Sequence, residues 1–196
     1  MKSRHAPSEA GASEISSPCR LCPRGCAADR ARGERGFCRT GAELAIAAIV
    51  PHLGEEPPIS GEKGIVNVFF PHCNLQCLYC QNWQISRNDR WRPEWELSLE
   101  EAVGRIEALL DEGRRAVGFV SPSHVVPQVR AIVEALRARG RDPVFVYNTN
   151  AYDLPETLRQ LEGLIDVYLP DLKSVSYTHL RAHETSLHLV CRLLLE

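Results

Sequence analysis

The chain has 196 residues, 44% of them hydrophobic and 24% charged, with a formal net charge of −2. That length can bury one substantial core, and the composition is that of a globular domain rather than a disordered or fibrous chain. The charge balance argues against a broad nucleic-acid-binding surface, and the longest apolar run, Leu44 to Val50, is far too short to cross a bilayer.

Residues 1–17 are rich in Ser, Ala and Glu without periodicity and read as a disordered leader; they contain no apolar stretch that could serve as a signal peptide. Residues 18–60 form a Cys-rich segment. Cys19, Cys22, Cys26 and Cys38 follow the pattern C-x2-C-x3-C-x11-C, and the segment ends in the turn-rich stretch Gly54 to Gly61. Four soft ligands in so short a segment complete a zinc site or hold an iron–sulfur cluster. With little apolar content around them, a metal is the expected source of order. Six arginines (20, 24, 30, 32, 35 and 39) flank these cysteines. Phe37 is the one aromatic available for base stacking, so nucleic acid is not the expected partner, and the arginines are read as offsetting the charge of a metal–thiolate group.

From residue 61 strand and helix patterns alternate. Ile65–Phe70 reads as a strand. Ser98 and Glu101 form a capping box ahead of an apolar helical stripe (Leu99, Val103, Ile106, Leu109, Leu110) that stops at Gly113. Residues 116–120 read as a second strand. Pro127 opens a second helix with its stripe at Val129, Ile132, Val133 and Leu136. A strand over 144–147, a short helix over 154–161 and a strand over 165–169 follow. This order predicts an α/β fold with a parallel sheet, in which function gathers at the carboxyl ends of the strands. Four polar segments fall there: Cys73–Cys80, Ser121–His124, Asn148–Asn150 and Asp171–Lys173.

Cys73, Cys77 and Cys80, at C-x3-C-x2-C spacing, are one ligand short of a closed zinc or electron-transfer site. Three thiolates on a four-iron cubane leave one iron free to bind a small molecule. Zinc held by these thiols with His72 is the alternative, a cramped run for tetrahedral geometry. Bunched thiols without a secretory signal point to metal ligands in a reducing cytoplasm.

The triplet, with Tyr79 at its last intervening position, resembles the radical S-adenosylmethionine superfamily. The runs Cys-Arg-Leu-Cys-Pro-Arg-Gly-Cys, Glu-Glu-Pro-Pro-Ile-Ser-Gly, Cys-Gln-Asn-Trp-Gln-Ile-Ser and Asp-Val-Tyr-Leu-Pro-Asp-Leu-Lys look like its pyruvate formate-lyase activating enzyme-like branch. The resemblance implies a [4Fe-4S] cluster on Cys73, Cys77 and Cys80 that binds S-adenosyl-L-methionine. Its reduction cleaves the cofactor to a 5′-deoxyadenosyl radical, which abstracts hydrogen from a substrate. It also implies an electron donor such as flavodoxin or ferredoxin and, by branch, a glycyl-radical enzyme as protein substrate; a non-catalytic metal module or electron carrier is the alternative.

Tyr79 is expected against the adenine, with Thr149, Asn150, Asp171 and Lys173 near the cofactor. Ala151 stands where the branch has glycine, which opens the backbone there to another conformation. Ser121 and Ser123 are expected to offer oxygens to the methionyl ammonium, where many relatives carry Gly-Gly-Glu. The segment 81–97, with Trp83, Trp91 and Trp95, is long enough to cover the site. The implied architecture is a partial, truncated parallel β/α barrel, with four of about six units in residues 61–173. Residues 174–196 resemble translated sequencing-adapter read-through and are expected to be non-native.

Overall fold

The structure, a computed structural model, describes residues 17–172. The expected tail and Lys173 lie outside the described residues, as does nearly all of the leader.

Five strands make one sheet in sequence order: β1 (Ala48–His52), β2 (Ile65–Phe69), β3 (Ala116–Val120), β4 (Val144–Thr149) and β5 (Val167–Pro170). The pairs from β2 to β5 are parallel, and β1 runs antiparallel to β2 with Val50 opposite Asn67. Single-turn helices α1 (Pro57–Ser60) and α2 (Trp83–Ser86) precede α3 (Leu99–Asp111), α4 (Val126–Ala138) and α5 (Pro155–Arg159), and the last three connect the parallel strands.

β2 and β3 are buried nearly end to end, as strands in the middle of a parallel sheet are, which explains sequences that are apolar but for Asn67 and Gly118. Val66, Val68, Val117, Phe119, Phe145 and Tyr147 face α3 and α4 and form the main core with Val103, Ile106, Ile132 and Leu136. The capping box holds the start of α3, with Ser98 Oγ accepting from Glu101 N and the Glu101 carboxylate accepting from Ser98 N. Leu99, expected in the buried stripe, is exposed, and Ala102 packs inward instead.

Two expectations change. The segment before residue 60 supplies an edge strand, β1, whose Pro51 and largely exposed side chains hide it from any periodicity. Second, the sheet ends at β1 and β5, so barrel closure is not seen among the described residues.

The opposite sheet face carries a smaller cluster of Ile65, Ala116, Val146 and Leu169 around buried Asn67, whose amide donates to Glu55 Oε1 at 3.1 Å. Gly118 lies beside Asn67 on β3, and a methyl there would overlap the Asn67 amide oxygen. We expect Gly118→Ala to lower unfolding free energy by about 1–3 kcal/mol through overpacking. Adding Asn67→Ala should recover much of that loss in denaturant titrations.

Candidate cofactor site

Beyond β2 the chain turns through His72 and Gln76, both with positive φ (68° and 59°), a conformation that side chains other than glycine's rarely hold unaided. Asn88 supplies the support. Its Oδ1 accepts from Cys73 N at 3.1 Å and its Nδ2 donates to Cys73 O at 3.1 Å. The Gln76 amide exchanges hydrogen bonds with the Asn88 side chain and backbone, and also reaches Cys73 O. The segment 81–97 therefore braces the cysteine loop. Trp91 and Trp95 pack around His72, while Trp83 is largely exposed.

In that packing His72 Nε2 bonds Arg90 O at 2.6 Å, and burial holds its pKa below the usual histidine value.

Cys73, Cys77 and Cys80 lie outside any disulfide, each partly exposed. Burial pushes the Cys73 thiol up, against hydrogen bonds from Leu75 N (3.4 Å) and Asn150 Nδ2 (3.5 Å) that favour the thiolate. Cys80 Sγ lies 3.2 Å from Ser86 Oγ. Among the described residues no three His, Cys, Asp or Glu side chains stand close enough to hold a single metal ion. Hydrogen-bonding groups at the Cys73 and Cys80 sulfurs suit a polynuclear cluster, whose thiolates sit farther apart and whose potential such contacts tune.

The ends of β3 and β4 meet this loop through one polar network. Thr149 Oγ1 donates to the Asp153 carboxylate, which also accepts from Tyr147 Oη at 2.9 Å. Ser123 Oγ bonds Thr149 Oγ1 (3.2 Å) and Asn150 Oδ1 (3.3 Å). Asn150 Nδ2 then donates to Asn74 Oδ1 at 2.8 Å, and Asn74 Nδ2 to Tyr152 O at 3.1 Å. Burial, and then the Asp153 charge, raise the Tyr147 phenol well above its ordinary range, so it stays a donor.

Thr149, Asn150 and Ser123 thus share one network that reaches the cysteine loop through Asn74. Ser123 does so from the interior. Its hydroxyl is fully buried and committed to its neighbours rather than turned outward. Ser121 is partly exposed with φ 49°, Tyr79 is 50% exposed, and Asp171 donates its backbone N–H to Thr149 O at 2.8 Å. Ala151 keeps φ at 56°, so the glycine-type backbone survives the substitution at some strain. Asn74 and Asn88 escaped the sequence reading because the groups they join are distant in the chain, and Asp153 because its bonds to Tyr147 and Thr149 follow no recognisable spacing.

Cys19, Cys22, Cys26 and Cys38 line a pocket together with Arg30, Phe37 and Asn74. The segment is stitched onto the first site. Arg24 donates from Nε to Asn74 O (2.9 Å) and stacks over Phe37, and Asn88 Nδ2 donates to Phe37 O (2.8 Å). Asn74 is fully buried, and its amide also bonds the Cys22 thiol, opposing the larger upward push of burial there.

A parallel sheet that delivers a three-thiol loop and a polar rim to one edge defines an α/β protein of the cofactor-dependent kind. The chain belongs to the Radical SAM superfamily, which it matches over residues 67–189. Members of that superfamily generally use a [4Fe-4S] cluster and S-adenosylmethionine. The match runs past Lys173 and does not stop at the boundary expected from the tail's composition. The chain is also 31% identical over 165 residues to an uncharacterized protein of Methanocaldococcus jannaschii, covering 83% of this chain and 47% of that one. It therefore spans about half the length of the curated relative it matches. No solved structure matches. Among the described residues no helix is long and apolar enough to cross a membrane.

His124 links the N-terminal segment to the start of the loop after β2. It is fully buried, its Nε2 donates to Pro71 O at 3.1 Å, and its own carbonyl accepts from Arg30 Nη1 at 2.9 Å. Burial holds its pKa down to about 4 against an ordinary 6.5. The unfolded chain takes up this proton first as pH falls, so stability is retained above 6.5 and lost between 6.5 and about 4. We expect a loss of about 3 kcal/mol across that window in denaturant unfolding, much reduced in His124→Gln.

Proposed function

We propose that this chain carries the catalytic core of a radical S-adenosylmethionine enzyme, with Cys73, Cys77 and Cys80 as the ligands of a [4Fe-4S] cluster. The observation that supports it most is the braced loop of three cysteines, none in a disulfide, joined to the end of β4 through Asn74 and Asn150. When bound, the cluster and S-adenosylmethionine supply reductive cleavage of a sulfur–carbon bond and a 5′-deoxyadenosyl radical that takes hydrogen from a substrate.

The chain's own residues bind and orient. Asn150 and Leu75 N–H donate to Cys73 Sγ and hold it in place. Ser123 and Asp153 fix Thr149, and through it the turn at Ala151. Tyr79, half exposed, offers a ring face to the adenine, and Ser121, partly exposed, its hydroxyl to the methionyl ammonium. Asp171 extends the rim just past β5, and we assign Lys173 to the cofactor on the likeness of its motif.

The likeness of four separated motifs to the pyruvate formate-lyase activating enzyme-like branch supports a protein substrate, a glycyl-radical enzyme, and a flavodoxin or ferredoxin as electron donor. The four-cysteine segment supports a second reading, a metal-bearing electron carrier without catalysis.

Anaerobic reconstitution with iron and sulfide, followed by reduction in the presence of S-adenosylmethionine, separates the two. We expect 5′-deoxyadenosine from the wild-type chain, and a loss of at least about 100-fold in Cys73→Ala, as for removal of an essential ligand. Bound iron that undergoes reduction without yielding 5′-deoxyadenosine would favour the carrier.

A further inference from the structure

The N-terminal pocket contains a charge that the protein alone leaves uncompensated. Arg30 is 3% exposed and lines the pocket with Cys19, Cys22, Cys26 and Cys38. Its Nη1 donates to His124 O at 2.9 Å and its Nη2 to Cys38 Sγ at 3.4 Å, while its buried Nε has no partner. No carboxylate among the described residues is paired with it; its sole side-chain partner is a sulfur. A guanidinium carries its charge at any physiological pH, and a buried charge needs a counter-charge close by. Four neutral thiols do not provide one. Four thiolates on a metal centre carry net negative charge, which matches the buried cation.

Geometry bears on the kind of centre. A tetrahedral zinc ion draws four sulfurs to about 2.3 Å from one point, hence about 3.8 Å from one another. No three of the thiols stand close enough to hold a single ion, although all four face the same pocket and none is in a disulfide. Gly36 is shaped to the same end, since a Cβ on it would overlap Cys26 Sγ. Cys26 is exposed at the mouth of the pocket, the other three are buried, and iron and sulfide could enter at that edge.

We propose that Cys19, Cys22, Cys26 and Cys38 hold a second iron–sulfur cluster, polynuclear rather than a single zinc ion, with the Arg30 guanidinium donating into it. Asn74, in contact with both Cys22 and Cys73, sets this centre directly beside the first.

The test is independent of S-adenosylmethionine cleavage. Iron, zinc and acid-labile sulfide are measured on the full chain and on a Cys73→Ala, Cys77→Ala, Cys80→Ala variant after anaerobic reconstitution. We expect the triple variant to retain about two to four irons per chain with matching sulfide, both lost when Cys22→Ala and Cys38→Ala are added. A folded triple variant that binds zinc, or iron without sulfide, or no metal, overturns the proposal. Should the triple variant fail to fold by circular dichroism, Cys22→Ala with Cys38→Ala is compared with wild type. A fall in both iron and sulfide supports the proposal, and unchanged content overturns it. Arg30→Gln removes a positive charge beside the centre and should lower its reduction potential; an unchanged potential overturns the part assigned to Arg30. Loss of 5′-deoxyadenosine formation alone bears on the first site and leaves this one standing.

Discussion

Everything at the site depends on one fully buried side chain, Asn74, which makes the first residue of the C-x3-C spacer a structural junction. Its amide accepts from Asn150, donates to Tyr152 O and touches both Cys73 and Cys22. A buried amide must be satisfied, because a polar group left without partners in low dielectric is heavily penalised. Satisfying Asn74 requires the loop after β2, the loop after β4 and the N-terminal segment to be in place together. The cysteine loop is therefore a product of tertiary structure, not a local motif.

The same logic extends outward. Asn88 clamps Cys73 by both its N–H and its carbonyl and also bonds Phe37, so the tryptophan-bearing segment supports both cysteine sets. Arg30 and His124 form the third contact, from the N-terminal segment to the end of β3 and on to Pro71. Parallel pairing of β2, β3 and β4 provides the frame, since its register aligns Phe69 with Val120 and Val120 with Asn148 and so delivers all three loops to one edge. The hydrophobic core positions the polar rim, and the rim positions the thiols.

How much of this could be read from sequence follows from where each signal lies. β2, β3, α3 and α4 were legible because burial writes itself as apolar runs, a 3.6-residue stripe and a capping box. β1 was not, because an exposed edge strand bearing Pro51 has no face that must be apolar. The cysteine sets were legible from spacing alone. The polar residues that hold them were not: Asn74 meets Asn150 across 76 positions, and Arg30 meets His124 across 94. Ser123 illustrates the limit well. Its place after β3 suggested an outward-facing oxygen, yet its hydroxyl is spent on Thr149 and Asn150 inside the network.

The central claim is that the Cys73 loop holds a cluster with one iron open to S-adenosylmethionine. The most direct measurement is the electron paramagnetic resonance spectrum of the anaerobically reduced full chain, recorded before and after S-adenosylmethionine is added. The account predicts that part of the cluster signal changes its g values on addition, and that this change is absent in Cys77→Ala. A wild-type signal that S-adenosylmethionine leaves unaltered would contradict it.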